Sequence, residues 1–248
     1  SGIGEWGLMG SGNWQQQNKP AYMSAWSRYN LGFIDPLVID NVYSNQVSIM
    51  PAEIGLIENS AVIIPMNNKS PLEYLLLENR QKLGTDQYLK ESGLLIWHID
   101  EVMTEMYPAI NSVNVNPDFF GVNLIQADQE GDLYESDGIA DAKDPFPGSL
   151  GVNGLSQIYT NTYDRNADGI INYGNNSQIK ISEIIEGSDG NIELLVNNPN
   201  IFGQVIRYDE GGYEGIAFHD VYSSLQWAGI KIVAQDSMML TGIQTVFP

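Results

Sequence analysis

Three groupings of residues in this chain are of types that could do chemistry. The first is acidic. The stretch "ADQEGDLYESDGIADAKDPFPGS" carries Asp128, Asp132, Asp137, Asp141 and Asp144. Carboxylates so crowded repel one another unless solvated or neutralised, and Ca²⁺ neutralises them by taking their oxygens as ligands. The second is "YDRNADGIINYGN", which sets Asp164, Asn166, Asp168, Gly169, Ile170 and Asn172 at positions 1, 3, 5, 6, 7 and 9 of a calcium loop of EF-hand type. Side-chain oxygens at 1, 3 and 5 converge on an ion there, the glycine permits the sharp turn, and Ile170 contributes its backbone carbonyl. Position 12 is Asn175, a neutral group, and no flanking helices are evident. The expected site is weak, in the range of about 0.1 to 1 mM found in extracellular modules. The competing readings are an Asx-rich turn bonded to itself for the second loop and a solvated acidic loop for the first.

The third grouping is "WHIDE", where His98 stands two residues before Asp100 and three before Glu101. Such a trio could ligate a metal or hold an acid–base pair. A histidine on an otherwise apolar strand is more often hydrogen-bonded within the fold, and that structural role is the expectation. The other histidine, His219, is far away in sequence, so the two cannot be the paired i, i+4 zinc ligands of a helix. Nothing matches a Gly-x-Ser-x-Gly elbow, a P-loop or a cysteine nucleophile.

The opening "GIGEWGLMGSGNW" has the Gly-x-Gly-x-x-Gly spacing of a dinucleotide loop. That fingerprint needs a buried strand before it and a helix after it, and here one residue precedes it and another glycine turn follows. The nucleotide reading is therefore set aside.

Composition bounds the alternatives. Of 248 residues, 43% are hydrophobic and 10% aromatic, enough to bury a substantial core. Thirty-one acidic residues against eleven basic give a net charge of −20, which repels nucleic acid and anionic lipid alike. No apolar run is long enough for a membrane span, and no signal segment stands at the start. The absence of cysteine excludes disulfides and thiolate metal sites, and is common in secreted bacterial proteins.

The elements that must position these groups read as follows. A helix is expected over 20–31, started by Pro20, striped by Tyr22, Ala25, Trp26 and Tyr29, and stopped by Gly32. Strands are expected at 36–40, 46–50, 53–58, 60–66, 73–80 and 93–100, then at 122–128, 178–184 and 191–197. Two long loops, 128–150 and 159–177, interrupt the second group; loops of that length in a compact domain are usually functional.

Taken together, "GIGEWGLMGSGNW", "KPAYMSAWSRYNLGFIDP", "EYLLLENRQKLGTDQYLKESGLLIWHIDE", "LIQADQEGDL" and "DPFPG" resemble, in that order, the immune-inhibitor-A-type family of secreted bacterial metalloproteases, over about residues 2–197. Metzincin-type zinc proteases carry a His-Glu-x-x-His helix, followed by a tight turn that places a methionine beneath the zinc ligands. The resemblance implies a secreted zinc endopeptidase with calcium as a structural ion. Met9 matches the Met-turn position, Trp6 and Leu8 its hydrophobic neighbours, and Gly10 and Gly12 the glycines that shape it. Ser11, Asn13 and Trp14 would lie near the substrate cleft, and the family's acidic loop corresponds to the one ending in "DPFPG". The departure is that this chain contains no His-Glu-x-x-His.

The resulting expectation is an α+β, strand-dominated chain. Residues 1–100 would be the C-terminal part of a metzincin-like protease domain, 101–199 a β-rich continuation with calcium loops, and 200–248 the start of a β-sandwich-like module. Functionally it would be the C-terminal portion of a secreted, calcium-stabilised zinc metalloendopeptidase, not catalytic by itself. Its partners would be the missing N-terminal part of the same protein and, in the intact enzyme, a polypeptide substrate. The alternative is a non-catalytic extracellular surface or assembly protein that keeps the fold as a calcium-dependent interaction module.

Overall fold

The two longest apolar runs become the central strands. Numbering strands in chain order, β4 is Glu73–Arg80 and β5 is Gly93–Asp100, and every residue of both is buried. They pair antiparallel from Glu73 opposite Asp100 to Arg80 opposite Gly93. Burial on both faces explains why these strands read as continuous apolar runs and not as alternating ones. The computed structural model describes residues 2–15, 19–39, 44–55, 60–66, 73–106, 113–114, 120–134, 139–160 and 176–199. These belong to one compact unit, Ser1–Ile201; the module expected over 200–248 lies outside the described residues.

Around the central pair, β1 (Leu37–Val38), β3 (Ala61–Pro65) and β6 (Val122–Ile125) complete a five-stranded sheet in the order β1-β3-β4-β5-β6. It is mixed, because β1 runs parallel to β3 while the other pairs are antiparallel. A three-stranded antiparallel sheet, β2-β8-β7, joins β2 (Asn45–Ile49) to β7 (Lys180–Glu186) and β8 (Ile192–Asn197). Both sheets draw strands from either side of residue 100. The described chain is thus strand-dominated and of α+β type.

The alternation of β4 and β5 builds two cores. Leu75, Leu77, Leu94 and Ile96 join Ile49, Ile181, Ile192, Leu194 and Val196 of the smaller sheet in one. Leu76, Leu95, Trp97 and Ile99 join Trp6, Ala21, Ala25 and Ile34 in the other. Each fully buried side chain of this size contributes about 1.5–3 kcal/mol. Asn79 ties the sheets together, donating from Nδ2 to the carbonyls of Ile49 at 2.8 Å and Gly190 at 2.7 Å.

Two expected elements differ. The helix α1 covers only Ala25–Asn30, capped by Ser24 and not opened by Pro20, and Tyr22 lies before it. The reason is that Tyr22 is taken by its neighbours: its N–H donates to Asp86 Oδ1 at 2.7 Å and its carbonyl accepts from Arg80 at 3.2 Å. Residues 52–54 form a turn rather than the start of a strand, with Ile54 N–H and Gly55 N–H both donating to the Pro51 carbonyl. Past β5 a second helix, α2 (Glu101–Met106), begins at once, with Asp100 Oδ1 accepting from the Met103 N–H at 3.3 Å.

Candidate metal centre

Sheet edge and loop pairing bring distant carboxylates together. Asp128 follows β6 closely, and the returning loop is held beside it where the Ala127 N–H donates to the Asp144 carbonyl at 2.9 Å. Two residues on, Leu94 and Phe146 exchange backbone hydrogen bonds at 2.6 and 2.9 Å. The outcome is a cluster of Asp128, Asp141 and Asp144, whose ligand oxygens all lie within 4.8 Å of one another. Oxygens 2.3–2.6 Å from a common calcium ion lie no more than about 5 Å apart, so the spacing suits that ion.

Asp144 is the anchor. It is fully buried, and its carboxylate accepts from Trp6 Nε1 at 2.7 Å, Gln126 Nε2 at 2.7 Å and the Asp141 N–H at 2.9 Å. Burial pushes its pKa up; the Gln126 and Trp6 hydrogen bonds oppose that rise, and the Asp132 charge adds to it. Two buried oxygens nearby have no hydrogen-bond partner, Asp128 Oδ2 and Gln126 Oε1. Carboxylate and amide oxygens, with no nitrogen or sulfur donor in the cluster, are the ligand chemistry of a hard cation and not of zinc.

Of the five loop aspartates expected to bind calcium, the structure thus gathers Asp128, Asp141 and Asp144. Asp132 is outside the trio and accepts instead from Gln126 Nε2. Asp137 lies outside the described residues, as do Asp164, Asn166, Asp168, Ile170 and Asn172 of the EF-hand-type loop. Gln126 and Trp6 carry no acidic signature, so only folding reveals their part in the cluster.

The opening stretch forms two short 3₁₀ turns, Gly4–Trp6 and Ser11–Trp14. Between them Met9 is 72% exposed, and Trp14 beyond it is 82% exposed. Gly10 and Gly12 are required by close approach. A Cβ on Gly10 would lie 2.2 Å from the Gly4 carbonyl oxygen, and one on Gly12 2.6 Å from that of Glu5. Trp6 anchors the whole stretch: its indole is held by Asp144, and its carbonyl accepts from Arg80 Nη1 at 2.8 Å.

Arg80 belongs to a buried ionic network at the end of β4 that the sequence reading missed. The only cue was the polar "ENR" closing an apolar strand. Arg80 pairs with Asp86 at 2.6 Å and Glu78 at 3.5 Å, and Arg28 pairs with Glu78 at 3.0 Å. Trp97 Nε1 also donates to Glu78 at 2.8 Å. Burial opposes ionisation of Asp86, but Arg80, Glu53 and the Tyr22 N–H together hold its carboxyl below the usual range. Glu53 goes the other way, pushed up to about 9 by burial first and then by the neighbouring Asp86 carboxylate.

A carboxyl with a raised folded-state pKa contributes stability that is complete below its unfolded value and is lost as pH rises through the folded one. For Glu53 that window runs from the ordinary value of 4.5 up to about 9. Its slope is at most about 1.4 kcal/mol per pH unit. Glu53→Gln, which keeps a neutral donor, is expected to flatten this decline and to raise the melting temperature at pH 8 relative to the parent. Melting curves at pH 5 and pH 8 check it; equal pH dependence in both proteins would show that Glu53 is ionised in the fold.

His98 is buried, its Nε2 2.8 Å from Glu73 Oε1 on the neighbouring strand, and it belongs to no three-ligand cluster among the described residues. His219 is outside the described residues. The residues described therefore do not fit a zinc site. Among them no helix is long and apolar enough to cross a membrane. Comparison with protein-family models and with curated proteins finds no match to this chain.

Proposed function

We propose that this chain is the calcium-stabilised, non-catalytic portion of a secreted zinc metalloendopeptidase, in which the acidic cluster fixes the turn that carries Met9. One observation carries the reading: the Asp144–Trp6 hydrogen bond links the Asp128–Asp141–Asp144 cluster directly to that turn. A divalent cation relieves the repulsion among three carboxylates and stiffens the loop that presents Asp144 to the indole. The turn is then held from two sides, by Asp144 and by Arg80.

Support for the protease reading beyond this is the ordered set of motifs that resemble the immune-inhibitor-A-type family, with Met9 exposed on a turn whose Gly10 and Gly12 admit no side chain. No catalytic step is assigned to residues of this chain.

The experiment is a proteolytic assay of the full-length gene product, with zinc and calcium supplied and then removed by a chelator. Cleavage of a denatured polypeptide, lost on chelation, is the expected result. A full-length product with no His-Glu-x-x-His and no cleavage overturns the protease reading in favour of the calcium-dependent interaction module.

A further inference from the structure

The sequence holds a single Asn-Gly pair, Asn153-Gly154. Asparagine is among the chemically labile residues, and a following glycine makes it more so. With no Cβ, glycine lets the peptide plane between the two residues turn, and it puts nothing in the path of its own nitrogen towards the side chain before it. Attacking nitrogen and target carbon belong to adjacent residues, so the ring closes within one molecule.

The fold leaves this pair open. Asn153 is exposed, and among the described residues neither its side-chain amide nor the Gly154 N–H has a hydrogen-bond partner. The backbone on either side is held. The Val152 N–H donates to the Pro147 carbonyl at 2.8 Å, and Leu155 and Ile181 of β7 exchange hydrogen bonds at 2.8 and 2.9 Å. A bulge between Ser182 and Ile185 takes Ile184 out of the β7–β8 ladder, and its N–H donates to the Asn153 carbonyl at 3.1 Å. That bond must break for the 153–154 peptide plane to turn, and it lies on the edge strand of the smaller sheet.

We propose that Asn153 is a site of spontaneous deamidation and backbone isomerisation that unlatches the 152–155 segment from β7. The Gly154 nitrogen gives its proton to water and bonds to Asn153 Cγ, and the Cγ–Nδ2 bond breaks to release ammonia. Water then opens the cyclic imide at either carbonyl. One opening gives aspartate with the backbone unchanged. The other gives isoaspartate, whose main chain runs through Cβ and Cγ and is one atom longer, while the former Asn153 carbonyl carbon becomes a free carboxylate. The longer chain shifts Leu155 against Ile181, and Leu155 is buried in the core that the two sheets share.

The test holds the folded protein at pH 8 beside a sample unfolded in guanidinium, and follows both by peptide mass mapping and ion-exchange chromatography. The expected result is loss of Asn153 before any other described asparagine, as two products of equal mass, each carrying one negative charge beyond the parent's −20. Asn153→Gln, which would have to close a larger ring, is expected to remove both products. The separated isoaspartyl form is expected to melt below Asn153→Asp, a comparison in which the added charge is common to both. Asn153 still intact in the folded protein when the unfolded sample has fully converted would overturn the site. Equal melting of the two charged forms would overturn the unlatching.

Discussion

Arg80→Met is expected to be the most damaging single substitution in the described fold, lowering stability by about 3–5 kcal/mol. For a chain of this size that is a fall in melting temperature of about 10 °C or more. The reason lies in what Arg80 leaves behind. Asp86 and Glu78 are both fully buried; without the guanidinium Asp86 becomes an uncompensated charge in the core, while Glu78 is left to Arg28 alone at 3.0 Å. The carbonyls of Trp6 and Tyr22 lose their donor as well, so the Met9 turn and the segment before α1 are released together. Methionine fills much of the volume, which makes the loss electrostatic and not a cavity effect. Thermal unfolding followed by near-ultraviolet circular dichroism measures it. Adding Asp86→Asn to Arg80→Met should recover part of the loss, because one stranded charge goes. A single variant within about 1 kcal/mol of the parent would mean that the network contributes specificity and little stability.

The same network marks where sequence reasoning succeeded and where it did not. The runs "EYLLLENR" and "GLLIWHID" occupy β4 and β5 to the residue because both faces are buried, so the apolar pattern and the strand end together. The helix expected over 20–31 lost its first turn to contacts from far along the chain, since Asp86 and Arg80 capture the backbone of Tyr22. Periodicity within a window carries no information about such partners. The candidate site shows the same division. The acidic composition of the 128–150 loop is plain in the sequence, but which carboxylates converge depends on the pairing of Ala127 with Asp144 and of Leu94 with Phe146. That pairing delivers Asp128, Asp141 and Asp144 and sends Asp132 to Gln126 instead. The buried ionic network was hidden for a related reason. Glu53, Glu78, Arg80 and Asp86 look like ordinary surface charges until folding encloses them.

Millimolar calcium is expected to raise the melting temperature at pH 7 by a few degrees over the protein in chelator, and Asp144→Ala to abolish that rise while lowering stability in chelator as well. With a dissociation constant of about 0.1–1 mM, 5 mM calcium stabilises the folded state by about 1–2 kcal/mol. Alanine at 144 removes a ligand and also strands the Trp6 indole N–H, the Gln126 amide and the Asp141 N–H, at a cost of about 2–4 kcal/mol in chelator. Asp128→Asn separates the two effects. Among the described residues the Asp128 side chain accepts from the Glu130 N–H alone, so its loss should remove the calcium increment yet leave stability in chelator within about 1 kcal/mol. The pH dependence has a definite sign. Because the folded-state pKa of Asp144 is raised, chiefly by burial, its contribution in chelator is complete below its unfolded value and declines as pH rises through the folded one. Calcium binds the ionised form, so the increment should be small at pH 4 and grow towards pH 7. Melting curves in calcium and in chelator across that range decide it. Coincident curves at pH 7 would remove calcium from the account of this loop and leave the Asp144–Trp6 bond as a purely structural tether.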